Sequence, residues 1–353
     1  MLFLAIPSVV KAQIGDTIKF NCVRNLIVMP VKINGVERHF IFDTGAEKTV
    51  ILDAISDNLE IVGSQKVSDS NNKTSKLSIV LIKKLTIGNI DVLDKKCITF
   101  RNSLFNCMGF EGIIGIDIIQ KYDWIIDFKN QLLIRHELNN NLFDAKNLIF
   151  ADCYNKRQRP RIKLAFKNQE TIDFLFDSGS SRTDIEQGQV GKINDIITKT
   201  TDDITEVFGL NSSSTDSSKT IEMPVSLKNK EFKNKIFQTI KRGEAKIGNN
   251  FWIDNTLYYS FEKKKLAITS NLNEYEKPSF DVKFKMKEDK MVIGSITFKE
   301  NIKVFKITNG DVIKSINNLT FTDNCELMKY QQNFTGNTME LELENGKKIT
   351  LKR

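Results

Sequence analysis

The chain has little of what marks a metalloprotein, a membrane protein or a nucleic-acid binder. Its five cysteines, Cys22, Cys97, Cys107, Cys153 and Cys325, follow no zinc-ligand spacing, and there are only two histidines, so no metal site is expected. Cys97 and Cys107 are the nearest cysteine pair, but all five are read as buried thiols. Beyond the N-terminal segment no run reaches the roughly 18 apolar residues of a membrane-spanning helix. The net charge of +8 arises from lysines interspersed with acidic residues, and the longest basic run is Lys263 to Lys265. No aromatic residues interleave with basic ones as stacking platforms, so the charge describes a solvated surface and no nucleic-acid partner is expected. Proline is also scarce, at five.

Phenylalanine is abundant instead, at 24, and short runs rich in Ile, Val, Phe and Thr recur, which points to strands. A length of 353 residues allows two or three domains and a sizeable core. Residues 1–12 begin MLFLAIPSVV and end in a small-residue cleavage pattern, the features of a signal peptide shortened at its basic end. Export to the periplasm or the exterior is the corresponding expectation.

The organising feature is an internal repeat. HFIFDTGAEKTVI, His39 to Ile51, has its counterpart in DFLFDSGSSRTDI, Asp173 to Ile185. Asp43 is followed 72 positions later by Gly115, and Asp177 is followed 71 positions later by Gly248, each glycine closing an Ile-Gly pair. Past those glycines, Asp127-Phe128 and Ser260-Phe261 share the same offsets, as do Leu133 and Leu266. Asn34 and Asn168 each stand nine residues before their aspartate, at an expected hairpin turn. One Asp-Ser/Thr-Gly tripeptide arises by chance in about one of five to ten chains of this length. Two, each after an apolar strand and each followed at nearly equal distance by Ile-Gly, do not.

Two carboxyl groups can hydrolyse a peptide bond without metal or covalent intermediate. One deprotonates a water while the other protonates or polarises the carbonyl. Held about 3 Å apart they cannot both ionise and share one proton, as holds for aspartic-protease pairs in general. Gly45 and Gly179 would let backbone approach those carboxylates closely, and the Thr44 and Ser178 hydroxyls could bridge to the opposite loop. Ser180 could donate to the outer oxygen of Asp177; the first loop has Ala46 there.

These residues resemble the aspartic peptidase superfamily, in which each Asp-Thr/Ser-Gly loop is backed by an apolar-apolar-Gly strand. Ile113-Ile114-Gly115 fits that pattern, whereas Lys246-Ile247-Gly248 places a lysine at one apolar position. Lobes of about 130 residues are similar to two retropepsin-type lobes fused in one chain, and bacterial exported members with a C-terminal PDZ-like module resemble the whole most nearly. The resemblance implies an all-β protein: two retropepsin-like β-barrel lobes related by pseudo-twofold symmetry, at 13–145 and 146–278, and a small PDZ-like β-rich domain at 279–353. Asp43 and Asp177 would be the catalytic pair, with Thr44, Gly45, Ser178, Gly179 and Ser180 supporting the loops. A peptide or protein would be the substrate, no cofactor would be needed, and the chain would work as a monomer. Polar flap tips are expected within Lys66 to Ile79 and Phe208 to Met223, and a polar linker at Leu138 to Arg159.

GDVIKSINNLTF, Gly310 to Phe321, looks like a PDZ strand and turn. Ile293-Gly294-Ser295-Ile296 would then be the loop that holds a peptide's C-terminal carboxylate. Two other readings stay open from sequence: a non-catalytic peptide-binding bilobal protein with a degenerate second lobe, favoured by Lys246, and a homodimeric peptidase using Asp43 from two chains.

Overall fold

The computed structural model describes residues 16–68, 73–138, 142–143, 147–156, 158–208, 213–228, 230–269, 280, 282–296 and 305–352. The signal-like segment 1–12 and, within the two expected flap ranges, residues 69–72 and 209–212 lie outside these residues. The fold is all-β, as expected: among the described residues the strands form sheets of thirteen, eight and five members.

The first copy of the repeat opens with strand Leu26–Ile33, which turns at Asn34 and Gly35, both at positive φ, into Val36–Phe42. Val50–Leu52 follows the Asp43 loop, then the long hairpin of Glu60–Ser68 and Thr74–Ile87, then Ile90–Phe100. Gly112–Ile114 finally inserts between two of these strands, parallel to Phe40 to Phe42 and antiparallel to Val50 and Ile51. A Cβ on Gly112 would lie 2.4 Å from the Phe40 ring, so only glycine permits this crossing.

The second copy repeats the order with Arg159–Ala165, Thr171–Phe176, Asp184–Glu186, the hairpin Lys199–Phe208 and Ser213–Leu227, Lys230–Ile240 and Lys246–Ile247. Strand directions repeat as well: Leu175 pairs with Lys246 in parallel as Ile41 does with Ile113, and Asp184 with Gln238 as Val50 does with Ile98. Both hairpins are longer than the flap ranges expected from sequence.

The copies meet where Asp123–Asp127 pairs antiparallel with Thr256–Ser260. Asp123 opposes Ser260 and Asp127 opposes Thr256, so equivalent residues are exchanged about a twofold at Ile125 and Tyr258. Strand Leu148–Lys156 extends this seam by pairing with Lys265–Thr269, which corrects the reading of Leu138 to Arg159 as linker throughout. The exchange of Asp127 for Ser260 between copies is a turn substitution. Asp127 Oδ1 accepts from Asn130 N at 3.0 Å, and Ser260 Oγ accepts from Lys263 N, three residues on, at 3.2 Å.

One buried apolar cluster runs through both copies and anchors the strands that carry the aspartates. Phe42 packs edge-on against Trp124 of the seam at 5.0 Å between ring centres, and Phe176 against Tyr259 at 5.2 Å. Each such ring contributes about 1.5–3 kcal/mol through burial. The residue next to each aspartate is thereby fixed to the seam.

The five-stranded sheet runs Val282–Lys287, Lys290–Ile296, Val312–Ile316, Thr338–Leu343 and Lys348–Lys352, in that order, with helix Asn324–Asn333 packed on it. It has its own core, including Phe284, Ile293, Leu327 and Leu341. Here the carboxylate-loop expectation is corrected. Ile293, Gly294, Ser295 and Ile296 lie in an inner strand, every one buried, with Ile293 paired to Phe284 and Ser295 to Lys283. Met291 to Ile296 is buried on both faces, so its sequence shows no alternation to set a strand apart from a loop. The edge strand beside the helix is Val282–Lys287, and its backbone is engaged by Gln331 and Asn324 side chains.

A third correction concerns the cysteines. Cys107 of helix Ser103–Met108 is bonded to Cys325 of helix Asn324–Asn333, tying the five-stranded sheet to the first copy across 218 positions. Cys97 is a buried thiol, as expected, and Cys22 and Cys153 are half-buried thiols.

Candidate active site

Each aspartate follows a strand that ends against the inserted one. Asp43 N donates to Ile114 O and Asp177 N to Ile247 O, both at 3.0 Å. The two loops lock onto each other through four bonds related by the twofold. Thr44 N donates to Ser178 Oγ at 2.9 Å and Ser178 N to Thr44 Oγ1 at 3.0 Å. Thr44 Oγ1 in turn donates to Phe176 O at 2.7 Å, and Ser178 Oγ to Phe42 O at 2.8 Å. Both side chains are fully buried, so each hydroxyl accepts and donates once with no water available to replace either bond.

This lock brings the carboxyl groups together. Each aspartate faces the glycine of the opposite loop, and the two carboxyl groups lie close enough for the charge of Asp177 to act on Asp43. A Cβ on Gly45 would lie 2.7 Å from Asp177 Cγ, and one on Gly179 only 2.1 Å from Asp43 Cγ. Backbone amides point at the carboxylates from within each loop: Gly45 N and Ala46 N to Asp43 Oδ1 at 2.8 and 3.0 Å, and Gly179 N to Asp177 Oδ1 at 3.0 Å.

Ser180 departs from the expectation. Its amide donates to the Asp177 main-chain carbonyl and its hydroxyl to Arg182 O at 2.8 Å, so it shapes the turn without bonding the carboxylate. The turn toward Arg182 takes the hydroxyl away from Asp177.

Withdrawal from solvent, reinforced by the negative charge of Asp177, raises the Asp43 carboxyl from 3.8 to about 8. The Gly45 and Ala46 amides oppose this but do not outweigh it. The pair is therefore set to keep one proton well above the usual carboxylate range.

Sequence reasoning missed several supporting residues. Thr49 and Thr183 each accept from the glycine that closes the inserted strand, Gly115 N at 3.2 Å and Gly248 N at 3.3 Å. Their hydroxyls donate to Asp117 and Asn250, both at 2.7 Å. The repeat itself carried this signal, since both threonines lie six residues past their aspartate and both partners two past their glycine. Asn249 Nδ2 bonds Ser178 O and Asn25 O, each at 2.7 Å, linking the second loop to the first copy. Lys246, a departure from pattern in sequence, lies 3.8 Å from Asp177 Oδ2 and 3.5 Å from Asp184 Oδ2. Among the described residues no group of His, Cys, Asp and Glu is arranged to hold a metal ion.

Two carboxyl groups held close together by crossed-strand loops have the make-up that acid–base activation of a water requires. Residues 29–118 match the family described as aspartyl protease, a stretch that includes the Asp43 loop and the Ile113-Ile114-Gly115 strand. This match supports an aspartic protease family and, with it, a peptide-cleaving hydrolase. Curated protein sequences include no match to the chain.

Proposed function

We propose that the chain is an aspartic endopeptidase whose active site is assembled from two lobes of one polypeptide, residues 13–145 and 146–278, with 279–353 as an appended β-rich unit of PDZ-like type. The reciprocal Thr44 and Ser178 lock, with each glycine against the opposite carboxylate, is the observation that carries this reading. Asp43 bears the shared proton and donates it toward the substrate carbonyl; Asp177 takes the proton from the attacking water. Water is the nucleophile. The paired hairpins Glu60–Ser68 with Thr74–Ile87 and Lys199–Phe208 with Ser213–Leu227 are suited to cover a bound peptide and exclude solvent. One chain supplies both aspartates, which favours a monomer over a dimer built from two Asp43 loops. Export, signalled by residues 1–12 and suited to the Cys107–Cys325 bond, completes the proposal.

The test is cleavage of an unfolded protein between pH 3 and 7, with and without a statine-type inhibitor, by wild type, Asp43→Asn and Asp177→Asn. Either substitution should abolish inhibitor-sensitive cleavage. Full activity in Asp177→Asn would eliminate the shared pair, and a wild type inactive on every substrate would favour the peptide-binding reading.

A further inference from the structure

The five-stranded unit touches both copies. On the first it meets helix Ser103–Met108, whose Cys107 is bonded to Cys325, and the turn at Arg24, whose guanidinium donates to Met328 Sδ at 3.1 Å. On the second its strand Lys290–Ile296 contacts Lys199–Phe208, the outer strand of the long hairpin. These places border the site. Phe105 and Met108 of the helix pack in one cluster with Ala46 of the Asp43 loop and with Leu77 and Ile79 of the first hairpin. The turn at Arg24 and Asn25 reaches toward the other loop, Asn25 Nδ2 donating at 3.3 Å to the carbonyl of Ser181, four residues past Asp177.

The side of the second copy that meets the unit is polar where the first copy's is apolar. Val50 opposes Ile98 as Asp184 opposes Gln238, and Ile79 opposes Ile98 as Thr220 opposes Gln238. Asp203 Oδ2 accepts from Thr220 Oγ1 and from Gln238 Nε2, both at 2.9 Å, and Asp184 accepts from Arg182 Nε at 2.7 Å. Lys283 of the unit lies near enough to Asp203, Arg182 and Asp184, and to Arg24 of the first copy, for their charges to act on it. It still meets solvent, yet loss of hydration lowers its pKa from the ordinary lysine value, so it stands in a recess between the unit and the two copies.

Among the described residues no apolar core joins these parts. One buried cluster runs through both copies, one lies within the first copy, and one lies within residues 280–351. Units that meet through charged and polar contacts, without a shared apolar core, move relative to one another by default. The bond between Cys107 and Cys325 is therefore what fixes the unit in place. The helix that carries Cys107 has no counterpart in the second copy, where residues 241–245 alone join Lys230–Ile240 to Lys246–Ile247. The plan of a copy does not require that helix; the docking of the unit does.

Resting on the peptidase reading, we propose that the five-stranded unit is a cover over one end of the cleft between the copies, held closed by the Cys107–Cys325 bond and released by a dithiol reductant. A thiolate of the reductant attacks one sulfur, the bond between Cys107 and Cys325 breaks, and the second thiol of the reductant resolves the mixed disulfide. The chain gains two thiols; the dithiol gives up two electrons and two protons and becomes a disulfide. The unit, still joined to the second copy through residues 270–279, then leaves the borders of the aspartate loops, and long substrate chains gain access.

Cleavage of an unfolded protein by the full chain, oxidised and after dithiothreitol, tests this, with small-angle X-ray scattering to follow the unit. A cover seated in about nine of ten molecules leaves about a tenth competent, so release should raise kcat/KM about tenfold. The double variant Cys107→Ser/Lys283→Glu removes the bond and reverses the charge that faces Asp203 and Asp184. It should show the raised rate and a larger radius of gyration without reductant, and dithiothreitol should not change either. A rate unchanged or lowered in molecules whose unit has left would overturn the cover and leave the peptidase standing. A radius unchanged both on reduction and in the folded double variant would overturn the role of the bond in holding the unit. If the double variant does not fold, reduced wild type decides alone. Absence of any cleavage that is lost in Asp43→Asn, oxidised or reduced, would instead remove the peptidase reading, and this inference with it.

Discussion

The lock between the loops can be tested without measuring catalysis. Thr44→Val keeps the shape of the side chain but removes its hydroxyl. That leaves Ser178 N–H without its acceptor and Phe176 C=O without this donor, both in a fully buried region. At about 1–3 kcal/mol for each buried group deprived of a partner, the expected loss is about 2–6 kcal/mol. Ser178→Ala should cost a similar amount by stranding Thr44 N–H and the Phe42 carbonyl. The two losses should not add. Once one hydroxyl is gone the loops are free to draw apart, and the second set of bonds is already weakened. A double-mutant cycle should therefore give a combined loss smaller than the sum by about 1 kcal/mol or more. Urea unfolding followed by tryptophan fluorescence suits this measurement, because the only two tryptophans, Trp124 and Trp252, are buried, one in each copy. Losses that add to within about 0.5 kcal/mol would refute a cooperative lock.

Three further expectations follow from the same geometry. The folded chain keeps a proton on Asp43 up to about pH 8, whereas an ordinary aspartate releases it near 3.8, so folding takes up a proton between those values. This contribution to stability declines as pH rises through that window and levels off above it; urea midpoints of Asp43→Asn should improve relative to wild type from pH 5 to pH 8.5. Gly179→Ala should abolish cleavage and destabilise the fold more than Gly45→Ala, because its new methyl would lie 2.1 Å rather than 2.7 Å from the opposing carboxyl carbon, as activity and urea midpoints of both would show. Cys107→Ser should release the tether that closes 218 positions, lowering stability by about 2–5 kcal/mol, as urea midpoints would show.

Readability in sequence follows the range of the interactions concerned. The Asp43 and Asp177 loops were legible because their chemistry is local, three consecutive residues after an apolar strand, and because the repeat shows it twice. Thr49 and Thr183 were equally repeated, but a threonine among strands has no feature that marks it until its partner is placed. Ile293 to Ile296 was misread for a related reason: a strand buried on both faces loses the alternation by which a strand is recognised. Ser180 was assigned to the carboxylate by its position alone, and only the turn at Arg182 shows where its hydroxyl goes.

The sequence by itself determined the all-β class, the duplication and the two aspartates, since each rests on periodicity or on short motifs that survive without coordinates. Only the tertiary structure decided that Cys107 meets Cys325, that Lys246 reaches Asp177, and that one face of the motif is apolar in the first copy and polar in the second. Those contacts join residues that lie far apart along the chain, and strand register, which the pairing of whole sheets sets, determines which side chains share a face.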